Sequence, residues 1–434
     1  MQLASKHAHH FYENDLLWLP LPEDIDSGHP PTFGYYLACA WSFFGKTLPV
    51  SHWAMLPFLL LNVWLLYRLG QQIGDGRWAF WLLPLVLLDP VVASQSTLVS
   101  PDIVLTCGFL FALNGILDKH RTFVVFGILM LCMISLRGMM TAGALFMWQA
   151  ILHGRNLSKL VGGAAPFLPG FAFAAWFFGW HQAATGWIGM HPNSPWAPTF
   201  EPAKDAMLFR NLMVVGWRWL DFGRLFEWLL LAWLGWRYWP QIKSNHTARH
   251  FVLLLLCLVA FLSPSALLFA NVSAHRYFLP GFIALHLLVF QLVATIRFKK
   301  IRPNHLLTTL IILFALSNLW VYPRGISVGW DATLAHIPYH RLRAEAVSFL
   351  EQESIDFALV GSYFPNLNTG EHLLLNGDPR RFSGKDFVRN QYVFASNVFN
   401  DISDEDFHIL QRDWTLRKSW TAASVWVEIY QKKH

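Results

Sequence analysis

Apolar runs close to twenty residues long return again and again in this chain of 434 residues, and they limit its fold more than any other feature. Residues 251–270, "FVLLLLCLVAFLSPSALLFA", contain no charged side chain at all. A soluble domain keeps roughly a quarter of its residues charged. Here only 14% are Asp, Glu, Lys or Arg, and 54% are hydrophobic. The chain is therefore read as an α-helical polytopic membrane protein, with spans expected at 52–71, 78–94, 101–117, 122–136, 138–153, 161–180, 225–240, 250–270, 278–296 and 305–322. Several are short for a bilayer core of ~30 Å, which points to tilt or partial burial.

Ten spans put both ends of the chain on one side. One set of connecting loops is dense in Lys and Arg, from Arg68 and Arg77 through Arg155 to Lys299, Lys300 and Arg302, and is assigned to the cytoplasm. Both termini, "EDIDSGHPP" at 23–31 and the 181–222 loop then lie outside. The net charge of +6 follows from the same bias and calls for no nucleic-acid partner. The four cysteines, Cys39, Cys107, Cys132 and Cys257, sit in apolar stretches without metal spacing and read as buried small hydrophobes.

Residues 1–322 are expected to form the transmembrane domain, including an outer juxtamembrane loop at 9–51. "PPTFGYYLACAWSFFG" reads as a helix lying in the interface. From 323 to 434 the chain changes character, with a helical stretch, then "FALVG" and later "SVWVEIYQ" as strands, so a small C-terminal α/β domain outside the membrane is expected.

Candidate chemistry gathers on the outer side. Glu23, Asp24, Asp26 and His29 are either solvated loop residues or the rim of a site at the membrane surface. In "VSPDIVLT", Ser100 suits an N-cap and Pro101 a first turn, where the helix dipole favours an anion at Asp102. Asp102 also heads a span on the same face as Asp26, and two acids converging there can orient an acceptor hydroxyl or take its proton. Arg137 in "RGMM" either snorkels or meets a phosphate. His275, Arg276 and Tyr277 in "SAHRYFLPGF" form a polar knot at another helix entrance. Arg218, Asp221, Arg224 and Glu227 fall at helical spacing and read as i,i+3 partners of an interfacial helix. Among charges inside the spans only Asp89 stands out. No P-loop, HExxH or GxSxG motif occurs.

In their order and sidedness, "HPPTFGYYLACAWSFFGKTLPVSHWAMLPF", "VSPDIVLTCGFLFALNGIL", "LRGMMTAGALF" and "HRYFLPGFIAL" resemble the GT-C glycosyltransferases. The likeness is to the bacterial branch related to protein O-mannosyltransferases and lipid A aminoarabinose transferases. It covers about residues 10–300. It implies a bacterial inner-membrane enzyme of the cell envelope with a polyprenyl-phosphate sugar as donor substrate and the site on the extracytoplasmic side. Membrane lipids, the lipid-linked donor, and a glycan, lipid or protein acceptor are the implied partners. By position, Asp102 matches the family's second acid, His29 the place of a cation for the donor phosphate, and Arg276 and Tyr277 the late segment. The family's first acid usually ends a first span, and none precedes His9 in this sequence. The chain is accordingly read as lacking the first transmembrane helix, with Asp26 or Asp24 standing in. The resulting expectation is an inverting glycosyltransferase with Asp26 and Asp102 as catalytic acids and Asp24, His29, Arg137, His275, Arg276 and Tyr277 as substrate-binding residues. The alternative is a non-enzymatic membrane protein that carries or binds lipid-linked sugars. A divalent metal is left open, and no residue is assigned to one.

Overall fold

The computed structural model describes residues 2–433 apart from positions 75, 155, 190, 192–196, 271, 323–329 and 400. Each of the ten expected spans overlaps helix, though 305–322 runs past a helix that ends at Ser317 and 78–94 is split in two. Among the described residues, five helical stretches are long and apolar enough to cross a bilayer: Leu48–Ile73, Pro101–Asp118, Ser158–Thr185, His246–Leu268 and His275–Thr295. A sixth is broken, with Gly76–Leu87 and Pro90–Thr97 meeting at 71°. The break has a local cause. Pro90 has no N–H to continue a ladder, and Asp89 restarts the helix by accepting from Val91 and Val92 at 2.9 and 3.3 Å. Arg121–Ile134 and Pro303–Ser317 are shorter apolar helices.

Two helices form the centre of the bundle. Asp102 through Gly115 are buried without interruption, and so are Leu279 through Val293. A helix apolar on every side is one surrounded by others. These two carry Asp102 and Arg276 at their heads, so the packing that fixes the core also fixes the candidate residues.

Helix Leu136–His153 begins abruptly after Ser135, whose backbone is extended and whose hydroxyl accepts from Gly138 at 3.1 Å. A Cβ on Gly138 would lie 2.0 Å from the Leu131 carbonyl, so only glycine lets the chain turn this tightly. The turn aims Arg137 at the head of Pro101–Asp118. At the same end of the bundle, helix Gln2–Glu13 crosses the expected juxtamembrane helix, observed at Thr32–Phe44. Gly34 allows that crossing, since its Cβ would meet His7 Cβ at 2.3 Å. Thr32–Phe44 buries Phe33, Leu37 and Trp41 while Phe43 and Phe44 stand exposed, as an interfacial helix requires.

A second hydrophobic core gathers residues from Tyr339 to Tyr430 around a five-stranded sheet. Its strands are β1 (Val360–Ser362), β2 (Ser383–Gly384), β3 (Tyr392–Ser396), β4 (Trp414–Ala422) and β5 (Val425–Lys432), in the order β2-β1-β3-β5-β4. β1 pairs parallel with β2 and β3, and β5 runs antiparallel to β3 and β4. "SVWVEIYQ" forms β5 with Val425, Val427 and Ile429 inward, as its alternation predicts. In "FALVG" only Val360 and Gly361 enter a strand, because Phe357–Leu359 winds into a 3₁₀ turn. The expected boundary at 322/323 abuts 323–329, which lie outside the described residues.

Candidate functional site

Asp102 is the centre of the strongest cluster. Ser100 caps its helix, accepting from the Asp102 amide at 3.2 Å, and Pro101 occupies the first helical position. The Asp102 side chain is 4% exposed, yet it is not alone. Arg137 Nη1 donates to Oδ1 at 2.5 Å, and Arg276 Nε lies 3.5 Å from Oδ2. Tyr277 spreads its ring beneath Arg137, 4.3 Å from the guanidinium carbon, and Arg276 stands 5.4 Å from the same ring. Three elements thus supply one acid, two cations and an aromatic face. The two guanidiniums keep 20% and 27% of their side-chain surface exposed, which leaves N–H donors for a ligand.

Behind Arg276 stands Asp331, from the stretch after the last apolar helix, in a close ion pair with Nη1. The Asp331 carbonyl accepts from Ser94 Oγ at 2.7 Å and Gln95 Nε2 at 2.8 Å. Gln95 Oε1 in turn accepts from Ser100 Oγ at 2.6 Å. The chain arriving from the C-terminal region is thereby stitched to the cap of the Asp102 helix.

The "DIDSGHPP" turn approaches the same place. His29 Nδ1 accepts from the Leu136 amide at 3.4 Å, one residue before Arg137. Asp26 and Asp102 both act on the His29 ring electrostatically. Burial, helped by the Arg137 charge, holds His29 down at about 4, so at neutral pH it is a neutral ring and not a cation. It would meet a phosphate by N–H donation only. Asp26 is buried and turned elsewhere: it accepts from the Gly28 amide at 2.8 Å and pairs with His181 Nε2 at 2.8 Å. His181 Nδ1 is also 2.9 Å from an acceptor, the Trp187 carbonyl. His181 thus bridges the Asp26 carboxyl and the Trp187 carbonyl. Asp24 is exposed on the turn.

His275 belongs to a neighbouring knot. Its Nε2 lies 2.8 Å from Asp221 Oδ2, with Arg218 Nη1 and Tyr322 Oη each at 3.3 Å. Burial pushes the Asp221 carboxyl up to about 6 although Arg224 and Arg218 pull it down. The i,i+3 reading of residues 218–227 is therefore corrected. These side chains do not lie on an interfacial face, because Arg218, Arg224 and Glu227 are buried and reach across to other helices. Arg224 pairs with Asp89 at 2.7 Å, Glu227 with His286 at 2.9 Å, and His286 Nε2 lies 3.3 Å from Asp89. All four are fully buried, so Asp89 has company that the spans did not advertise.

The comparisons with known proteins bear on this architecture. Two crystal structures of ArnT from Cupriavidus metallidurans superpose on the chain. The apo structure gives a TM-score of 0.55 at 12% identity over 99% of this chain and 92% of that one. The structure bound to undecaprenyl phosphate gives 0.51 at 14% identity, over 68% of this chain and 55% of that one. The chain shares the fold of these ArnT structures. It is a multi-pass membrane fold with a small C-terminal sheet. No family model and no curated protein matches the sequence.

Sequence reasoning missed His181, Asp331, Ser94 and Gln95. Asp331 carried a faint signal, an acid just beyond the last span. His181 and Gln95 carried none.

Proposed function

We propose that the chain transfers a sugar from a polyprenyl-phosphate donor to an acceptor on the extracytoplasmic side of the inner membrane. The observation that carries this is Asp102 held between Arg137 and Arg276, with Tyr277 beneath both cations. The part-exposed guanidiniums match the donor phosphate in charge and in fork geometry. As the glycosidic C–O bond to phosphate breaks, negative charge grows on the leaving oxygen, and preorganised cations there lower the barrier. The acceptor hydroxyl attacks the anomeric carbon from the opposite side, forming the new C–O bond as the bond to phosphate breaks, and its proton passes to a carboxylate of the site, for which Asp102 stands nearest. Asp26 supports the wall through His181, and His275 steadies the Arg276 segment from behind. The likeness to a protein crystallised with undecaprenyl phosphate supports the donor class, and the dense basic loops at the other end support the sidedness.

The test is reconstitution of the full chain in liposomes with a radiolabelled undecaprenyl-phosphate sugar and extracts of envelope acceptors. Label should move to acceptor in the wild type and stay on the lipid with Asp102→Asn. Saturable donor binding without transfer, unchanged in Asp102→Asn, would instead identify a carrier of lipid-linked sugars.

A further inference from the structure

Away from Asp102, where helix Gln2–Glu13 meets the C-terminal region, His9, Glu13 and Glu371 converge. One ligand atom of each lies within 4.8 Å of the other two, and no other such trio occurs among the described residues. We propose that these three residues form a zinc-class divalent cation site that fastens helix Gln2–Glu13 to the C-terminal sheet region.

Three observations support the assignment. The first is the histidine. His9 is 4% exposed, held edge-on to Trp41 with centroids 5.1 Å apart. Its Nδ1 lies 2.8 Å from the Ser5 carbonyl, which can only accept, so the proton sits on Nδ1. That leaves the Nε2 lone pair available, and Nε2 has no hydrogen-bond partner. A buried imidazole whose far nitrogen is pinned to a carbonyl is the arrangement that orients histidine toward a metal.

The second is the pairing of acids. Glu13 follows His9 by one helical turn and so shares its face, while Glu371 arrives from the short helix Gly370–Leu373. Like charges that meet from two parts of a chain repel unless a cation lies between them. The third observation is that a cation is already there: Lys46 Nζ stands 3.7 Å from each carboxylate. Its long stem lets the ammonium swing away when a metal enters, so Lys46 is a built-in competitor. The glutamates are 59% and 37% exposed and have the freedom to close to bonding distance. One nitrogen and two carboxylates with room for water suit zinc, whereas calcium and magnesium prefer oxygen alone.

The experiment uses the full chain in detergent, purified with a tag free of histidine, stripped with chelator and titrated with zinc against a chromophoric competitor. With 19 histidines in the sequence, only differences between variants count. Wild type should keep one zinc per chain that Glu371→Gln, an exposed and conservative change, binds at least tenfold more weakly. His9→Gln should lose the same site, and Lys46→Met should bind zinc more tightly than wild type. Zinc should raise the melting temperature of wild type and not of Glu371→Gln, which by gel filtration stays folded. Equal zinc affinity in wild type, His9→Gln and Glu371→Gln, or weaker binding in Lys46→Met, overturns the site.

Discussion

Two clusters of charge sit in the helical bundle, each with two acids and two basic residues, and they are built to opposite ends. Around Asp89, Arg224, Glu227 and His286 no side chain has any exposed surface. Arg224 also lies 3.9 Å over the Phe282 ring, which covers one face of its guanidinium. Around Asp102, Arg137, Arg276 and Asp331 the acids are buried while the guanidiniums reach solvent. The first cluster has its charges spent on one another across three helices. The second holds its cations in place by their acids and leaves their outer N–H groups for something else. Buried charge by itself therefore does not single out a candidate site in this molecule; what sets the Asp102 cluster apart is buried acid with open cation.

The sharpest way to break that contrast is Asp102→Asn. Transfer activity should fall by about 10²–10⁴-fold while the melting temperature stays near wild type. A comparable loss from Asp89→Asn without unfolding would put the chemistry in the wrong cluster. Arg224→Met should do the reverse. Asp89 is left buried with its main cation gone, which costs about 3–5 kcal/mol, read as a lowered melting temperature and poor recovery from membranes.

Acid should probe the ring side of the contrast. His7, 5% exposed with Nε2 bound to the Ile25 carbonyl, is held by burial at about 4 against an ordinary 6.5. A depressed histidine favours the folded state above pH 6.5, and that contribution disappears as pH falls from 6.5 to 4. Stability should drop by roughly 3 kcal/mol over that window. His7→Gln should flatten the dependence of melting temperature on pH, and an unchanged slope would show that His7 is not its source. The smallest effect belongs to Arg276→Lys. It keeps the charge but loses the fork, so KM for the lipid donor should rise about tenfold, or ~1.4 kcal/mol, with kcat less affected.

Much of this was readable from local sequence. Each apolar run declares its helix, and the Ser-Pro-Asp order places Asp102 in a capped first turn because those preferences act over a few residues. The "PPTFGYYLACAWSFFG" helix and strand β5 were legible for the same reason. Helix Gln2–Glu13 was not, since its polar, histidine-rich face carries no bilayer signal. Partners far apart in the chain were invisible: His181 is 155 residues from Asp26, and Arg224 is 135 from Asp89. Their pairing follows from how the bundle closes, and no spacing rule reaches that far. Helical periodicity even misled at residues 218–227, where side chains that look like mutual partners along one helix find stronger ones on others.

Asp331 ties one more thread. Its carboxylate grips Arg276 while its carbonyl hangs from Ser94 and Gln95, so the stretch that leaves the bilayer works as a brace across helix heads. A chimaera that swapped the tail at its natural-looking seam, or a cut upstream of this aspartate, would slacken the Arg276 guanidinium. The tail is thus not freely exchangeable cargo, and any transplant must bring a matching brace.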